Sequence, residues 1–82
     1  MYNVGDKILI KSIEWYDDHK DEDGYVGDFC PRMKQYCGKV LTISKIVGNY
    51  YEMKEDNDIN KFAIDESKYL FSDNMIERFV DE

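Results

Sequence analysis

Residues 33–47 read MKQYCGKVLTISKIV, and this stretch decides the fold of the chain. Its first part is typical of a short turn, and its second part is a run of β-branched and aliphatic residues long enough to cross a small sheet. Leu41 and Ile43 share one face of that run, whereas Ile46 falls out of phase with them. The pattern predicts one long strand with a bulge or strong bend near Ser44.

A first strand is predicted near the start of the chain. Ile8 and Ile10 alternate with lysines within residues 7–13. Because successive side chains of a strand point to opposite faces, the two isoleucines should lie together in the core and the lysines should face water.

Hairpins are predicted after residue 47. Gly48 and Asn49 are typical of a two-residue hairpin turn, and the strand that returns over residues 50–54 should bury Tyr51 and Met53. The remaining segments are predicted to form an extended arm over residues 55–66 and two further strands, over residues 67–71 and 77–80.

Two short helical turns interrupt these strands. Phe29, Met33 and Tyr36 follow a helical spacing, which predicts a helical turn near residues 31–36 that aims all three side chains inward. A second turn is predicted near residues 73–76, directly before the last strand.

The negative charge of the chain is concentrated in residues 14–28, called the acidic segment below. The formal net charge is −7, and this segment holds seven acids against one lysine. Such a segment cannot pack on itself, so we expect a mobile excursion from the sheet, anchored at its base by Trp15 and Tyr16. An acidic total also argues against ordinary binding to a phosphate backbone, which depends on clustered Lys and Arg.

The sequence offers little support for a metal site or for catalysis. An EF-hand template with Gly24 at its invariant glycine places His19 and Cys30 where carboxylates are required. For zinc, His19, Cys30 and Cys37 lack both CxxC spacing and a fourth ligand. We therefore predict no enzyme, no cofactor and no metal, and two free thiols, although the spacing leaves a disulfide open.

The order of these features resembles small uncharacterised SH3-like barrel proteins of phages, prophages and Gram-positive bacteria. The resemblance rests on Val4-Gly5-Asp6-Lys7, Glu14-Trp15-Tyr16 with the acidic Asp-Gly loop, Phe29, Met33, Tyr36-Cys37-Gly38-Lys39, Thr42-Ile43, Tyr50-Tyr51, Glu55-Asp56 and Asp73-Asn74-Met75. It implies one all-β domain over residues 1–82, an SH3-like five-stranded small barrel with the acidic segment between its first two strands. No apolar run reaches bilayer length and the start lacks a signal-peptide pattern, so we expect a cytoplasmic protein without a membrane partner.

The favoured function is a non-catalytic protein-interaction module, encoded by a phage or mobile element, that presents exposed aromatics beside an acidic loop. Its partner is a protein of unknown identity, and the oligomeric state stays open. The residues predicted to bind this partner are Trp15, Tyr16, Asp17, Asp18, Asp21, Glu22, Asp23, Tyr50, Tyr69 and Phe71.

Two other functions remain open. An acidic mimic of nucleic acid would occupy the basic groove of a host or defence protein, with carboxylates that imitate phosphates. Its residues would be Asp17, Asp18, Asp21, Glu22, Asp23 and Asp28. A weak nucleic-acid binder would instead use a basic strand face, formed by Arg32, Lys34, Lys39 and Lys45.

Overall fold

The computed structural model describes residues 2–56 and 69–80. Its strands are β1 (Lys7–Ile10), β2 (Val40–Val47), β3 (Tyr50–Met53), β4 (Phe71–Ser72) and β5 (Ile76–Phe79). Its helices are α1 (Ile13–His19), a first 3₁₀ helix (Pro31–Tyr36) and a second 3₁₀ helix (Asp73–Met75). The strands form one antiparallel sheet in the order β4-β3-β2-β1-β5, which confirms a small, mainly β fold.

β2 is the strand that both halves of the sheet share. On one side Leu41 pairs with Ile8 of β1, and on the other Ile43 pairs with Met53 of β3. The register with β3 shifts between Ile43 and Lys45. An extra residue on one strand bends it and increases its twist, so the bulge predicted at this point of the sequence is confirmed.

The core consists of side chains from every strand and from the segments between them. Ile8, Ile10, Leu41 and Ile43 are each at most 2% exposed, as the alternation of the sequence predicts. The other buried hydrophobic residues are Tyr16, Phe29, Met33, Tyr36, Tyr51, Met53, Phe71, Met75 and Ile76. Eight of these nine are aromatic or sulfur-containing residues, which fill irregular space between short strands. Phe29, Met33 and Tyr36 among them form the inward stripe that the sequence predicted.

The acidic segment is more regular than the sequence predicted, because its first part forms α1. Ser12 caps this seven-residue helix by accepting a hydrogen bond at 3.1 Å from the N–H of Trp15. Tyr16 is buried, and its hydroxyl donates to the carbonyl of Gly24 at 2.7 Å. A cap and one buried side chain favour a helix whose charged residues stay in water. The prediction of a loop is therefore wrong for residues 14–19, and the first strand ends at Ile10 rather than at residue 13.

The later part of the chain agrees with the predicted order of elements. The second 3₁₀ helix lies within the predicted turn over residues 73–76, and β5 replaces the last residue of that turn. The arm predicted over residues 55–66 and the start of the strand predicted over 67–71 fall largely outside the described residues. Within the described ranges, no helix has the length and hydrophobicity needed to span a bilayer.

Asp56 is the buried carboxylate that connects β3 to the approach to β4. Only 3% of Asp56 is exposed. Its Oδ1 accepts a hydrogen bond from the hydroxyl of Tyr36 at 2.9 Å, and its Oδ2 accepts one from the N–H of Tyr69 at 2.6 Å. The rings of the two tyrosines also meet edge to face, with centroids 6.4 Å apart. Asp56 thus holds the first 3₁₀ helix and the approach to β4 together.

Replacing this carboxylate should lower the free energy of unfolding. We expect Asp56→Ala to destabilise the fold by about 2–4 kcal/mol, because two donors would be left in a buried place without their acceptor. Urea unfolding followed by circular dichroism measures the loss. Asp18→Ala, which removes an exposed carboxylate, should change stability by less than about 0.5 kcal/mol. Equal losses in the two variants would contradict a structural role for Asp56.

Candidate functional site

The described surface carries two adjoining hollows. The tyrosine hollow has a volume of about 410 Å³ and is lined by Asp28, Cys30, Met33, Tyr50, Tyr69 and Leu70. The tryptophan hollow has a volume of about 260 Å³ and is lined by Trp15, Val26, Gly27, Asp28, Ser72, Asn74 and Met75. Asp28 belongs to both, so we treat the two hollows together as one groove.

The end of the acidic segment places Asp28 at the tip of a tight turn. Val26 and Phe29 exchange two backbone hydrogen bonds, at 3.0 and 2.9 Å, around the two residues between them. Gly27 adopts φ +57°, a left-handed conformation that favours glycine. Phe29 is fully buried. The turn is therefore fixed by the core on one side and exposes Asp28 on the other.

Tyr50 joins this turn to the β2–β3 hairpin. Its hydroxyl donates a hydrogen bond at 2.9 Å to Oδ2 of Asp28. The hydrogen bond and the negative charge of Asp28 raise the pKa of Tyr50 above its ordinary value. Both effects favour the neutral hydroxyl, which is the form that donates. The contact lies where the two hollows meet, because both residues line the tyrosine hollow and Asp28 also lines the tryptophan hollow.

Trp15 and Tyr69 form the aromatic walls at the two sides of the groove. The indole of Trp15 packs edge to face against Phe29, with ring centroids 5.3 Å apart, and is only partly buried. His19 contacts the carbonyl oxygen of Trp15 through Nδ1 at 2.8 Å. Tyr69 is also partly buried and is held through its backbone by Asp56. Contacts with the core therefore hold both residues in place, and both remain partly exposed.

Two of the aromatic residues predicted to bind a partner are not available to one. Tyr16 is 4% exposed and Phe71 is fully buried, so both belong to the core. The sequence interpretation placed them at the bases of loops, where exposed and buried aromatics look alike. Their predicted exposure is wrong, because α1 turns Tyr16 inward and β4 places Phe71 against Tyr36, with ring centroids 5.9 Å apart.

Most of the charged residues considered above lie outside the groove. The acids exposed outside it are Asp17 and Asp18 on α1, followed by Asp21, Glu22 and Asp23 in the turn after it. The cations exposed outside it are Arg32 and Lys34 on the first 3₁₀ helix, Lys39 before β2 and Lys45 on β2. Asp28, the remaining acid of the predicted phosphate mimic, does line the groove.

The groove also contains residues that the sequence analysis did not assign to a site. These are Val26, Gly27, Cys30, Met33, Leu70, Ser72, Asn74 and Met75. Met33 was predicted only as a core residue, and it is buried beneath the tyrosine hollow. One feature of the sequence could have indicated the position of the groove: Asp28 is the last acid before the inward-facing residues that begin at Phe29.

The two cysteines lie too far apart for a disulfide, and the described residues group no set of metal ligands. Cys30 and Cys37 are free thiols at the two ends of the first 3₁₀ helix. Because a 3₁₀ helix rises about 2 Å per residue, the Cα atoms of the two cysteines lie farther apart than the ~7 Å that a disulfide can bridge. Partial burial raises the pKa of Cys37, and the charge of Asp17 adds to the shift. In the part of the chain that the structure describes, no three His, Cys, Asp or Glu side chains group to hold a metal ion.

Comparisons of the chain with protein-family models, with curated proteins and with solved structures find no match. No relative therefore assigns a function to the groove or to the acidic segment.

The contact between Tyr50 and Asp28 can be tested by titration. We expect Tyr50 to ionise above pH 10.0, and Asp28→Asn to lower its pKa while an amide oxygen still accepts the hydroxyl. The contribution of the contact to stability is complete below the pKa of the unfolded chain and is lost as pH rises through the folded pKa. Ring carbon NMR of the tyrosines measures this pKa.

Glu22→Gln is the matched control, because it changes the net charge equally in an exposed residue outside the groove. It should leave the pKa of Tyr50 in place. An ordinary pKa for Tyr50 in the unmodified protein would show that the contact does not form in solution.

Proposed function

We propose that this chain is a non-catalytic protein-interaction module that binds a segment of a partner protein in the groove. The observation that carries the proposal is the meeting of Trp15, Tyr50 and Tyr69, from three separate parts of the chain, around two joined hollows. Aromatic side chains bury much area with only two rotatable angles, which makes them effective anchors at interfaces.

We infer that the sheet is an SH3-like barrel. The inference is supported by the strand order, by the acidic segment between β1 and β2, by the tight hairpin between β2 and β3, and by the 3₁₀ helix before β5. The bulge in β2 supports it further, because a bent strand can serve two halves of a curved sheet. The resemblance that suggested this fold also favours a phage or mobile-element origin and a cytoplasmic location.

The shape of the groove favours binding over chemistry. A volume of about 410 Å³ is large enough for a side chain or a short peptide segment. Asp28 is exposed and Tyr50 is only partly buried, so water reaches the point where the two hollows meet. Catalytic groups gain most of their effect in sites that exclude water, and this groove is open there.

One observation favours the acidic mimic as a second candidate. Mimicry of phosphates needs carboxylates on a rigid backbone, and α1 supplies one for Asp17 and Asp18. The following turn is also ordered, because Oδ1 of Asp21 accepts hydrogen bonds from the N–H groups of Asp23 and Tyr25, at 2.9 and 3.0 Å. Binding of this kind would use the exposed acids, would not need Trp15, and would weaken steeply with salt.

Selection from a displayed library of random twelve-residue peptides on the immobilised full chain tests the first proposal. Peptides that bind should lose about tenfold in affinity on Trp15→Ala and on Tyr69→Ala, because these changes remove the walls of the groove. Phe79→Ala is the matched control, since Phe79 is 47% exposed and lies outside the groove. Circular dichroism shows whether each variant is folded.

The outcomes of this selection separate the two candidates. Peptides whose affinity falls equally in all three variants, or no enrichment at all, would contradict binding in the groove. Basic peptides that bind through Asp17 and Asp18 but ignore Trp15→Ala would favour the acidic mimic instead.

A further inference from the structure

We propose that the groove recognises a peptide segment with a lysine or arginine between two apolar side chains, and that Asp28 receives the cation. This inference rests on the proposed function, since it specifies the chemistry of the partner that the same groove would bind.

Asp28 lies where a bound segment would pass from one hollow to the other. Asp28 is the residue that the two hollows have in common, and apolar side chains lie on either side of it. On one side Tyr69 and Leu70 line the tyrosine hollow, and Leu70 is 38% exposed. On the other side Trp15 and Met75 line the tryptophan hollow. An extended segment that fills both hollows must pass the carboxylate between them.

The negative charge of Asp28 is not balanced by a cation among the described residues that line the groove. Oδ2 of Asp28 accepts the hydroxyl of Tyr50, and Oδ1 has neither a hydrogen bond nor an ion pair with any residue that the structure describes. Neither hollow includes a lysine or an arginine among its described lining residues. The acidic segment, which ends at Asp28, holds six further acids against one lysine. Clustered charge of one sign raises the local concentration of partners of the other sign and speeds their association.

The charge of Asp28 disfavours other kinds of partner segment. A purely apolar segment would cover a carboxylate and leave its free oxygen without a partner, which is unfavourable. An acidic partner peptide or a nucleic-acid backbone would be repelled by Asp28 and by the other acids of residues 14–28. A guanidinium or ammonium group could contact Oδ1 directly, and the aromatic residues that line the two hollows also favour a cation.

The test uses peptides selected on the full chain from the random library, resynthesised with each Lys or Arg replaced by Gln. We expect the selected peptides to share one basic position flanked by apolar residues, and its replacement to weaken binding about three- to tenfold. Asp28→Asn should weaken the original peptide by a similar factor and the replaced peptide hardly at all. Glu22→Gln removes the same charge outside the groove, so it should weaken either peptide much less than Asp28→Asn weakens the original one. Asp28→Lys should select acidic residues at the shared position.

Each result separates this inference from the proposed function. Peptides that need Trp15 and Tyr69 but show no basic position, or that bind Asp28→Asn equally well, would overturn the inference and leave a groove-binding module. Loss of any dependence on Trp15 and Tyr69 would overturn both. Self-association of the chain that Trp15→Ala abolishes would identify a second copy as the occupant and would also overturn the inference.

Discussion

β2 must pair with neighbours in both halves of the sheet, and the rest of the structure depends on this constraint. Before the bulge its residue Leu41 pairs with β1, and at the bulge Ile43 pairs with β3. Both side chains are buried, and a buried Leu or Ile contributes about 1.5–3 kcal/mol relative to exposure. In a chain of 82 residues the core is small. Without the bulge, a straight β2 would turn one half of the sheet away from this core.

The groove is a consequence of the same arrangement. The hairpin after β2 brings Tyr50 to Asp28, which is 22 residues away in the sequence. Phe29 belongs to the core and fixes the turn that presents Asp28, and its ring also supports Trp15. Asp56 holds Tyr69 by its backbone. The exposed aromatic faces are therefore positioned by buried contacts, which is the arrangement that a rigid binding surface needs.

Local patterns in the sequence predicted much of the sheet, because alternation and turn chemistry act between near neighbours. Ile8 and Ile10 were predicted correctly, and so were the bulge in β2 and the turn at residues 48–49. The helix over residues 13–19 was missed, because Ser12 and Ile13 were assigned to the first strand and the acids after them to a loop. An N-cap acts through one backbone hydrogen bond and leaves little trace in composition.

The site was predicted only in part for a different reason. Trp15, Tyr50 and Tyr69 were identified as aromatic residues near the ends of strands, but so were Tyr16 and Phe71, which are buried. Sequence alone cannot tell these two sets apart, since burial depends on which element a ring meets in three dimensions. The bond between Tyr50 and Asp28 depends on tertiary structure in the same way, and it joins the two hollows into one site.

The role of β2 can be measured directly by NMR of the full chain, from nuclear Overhauser contacts between backbone protons of paired strands. The structure requires contacts from Leu41 to Ile8 and from Ile43 to Met53 in the same molecule. It also requires a break in the regular pattern between Ile43 and Lys45. Observation of both sets with that break would confirm that one bent strand unites the sheet. Absence of either set, or helical contacts through residues 40–47, would contradict the fold and the groove built on it.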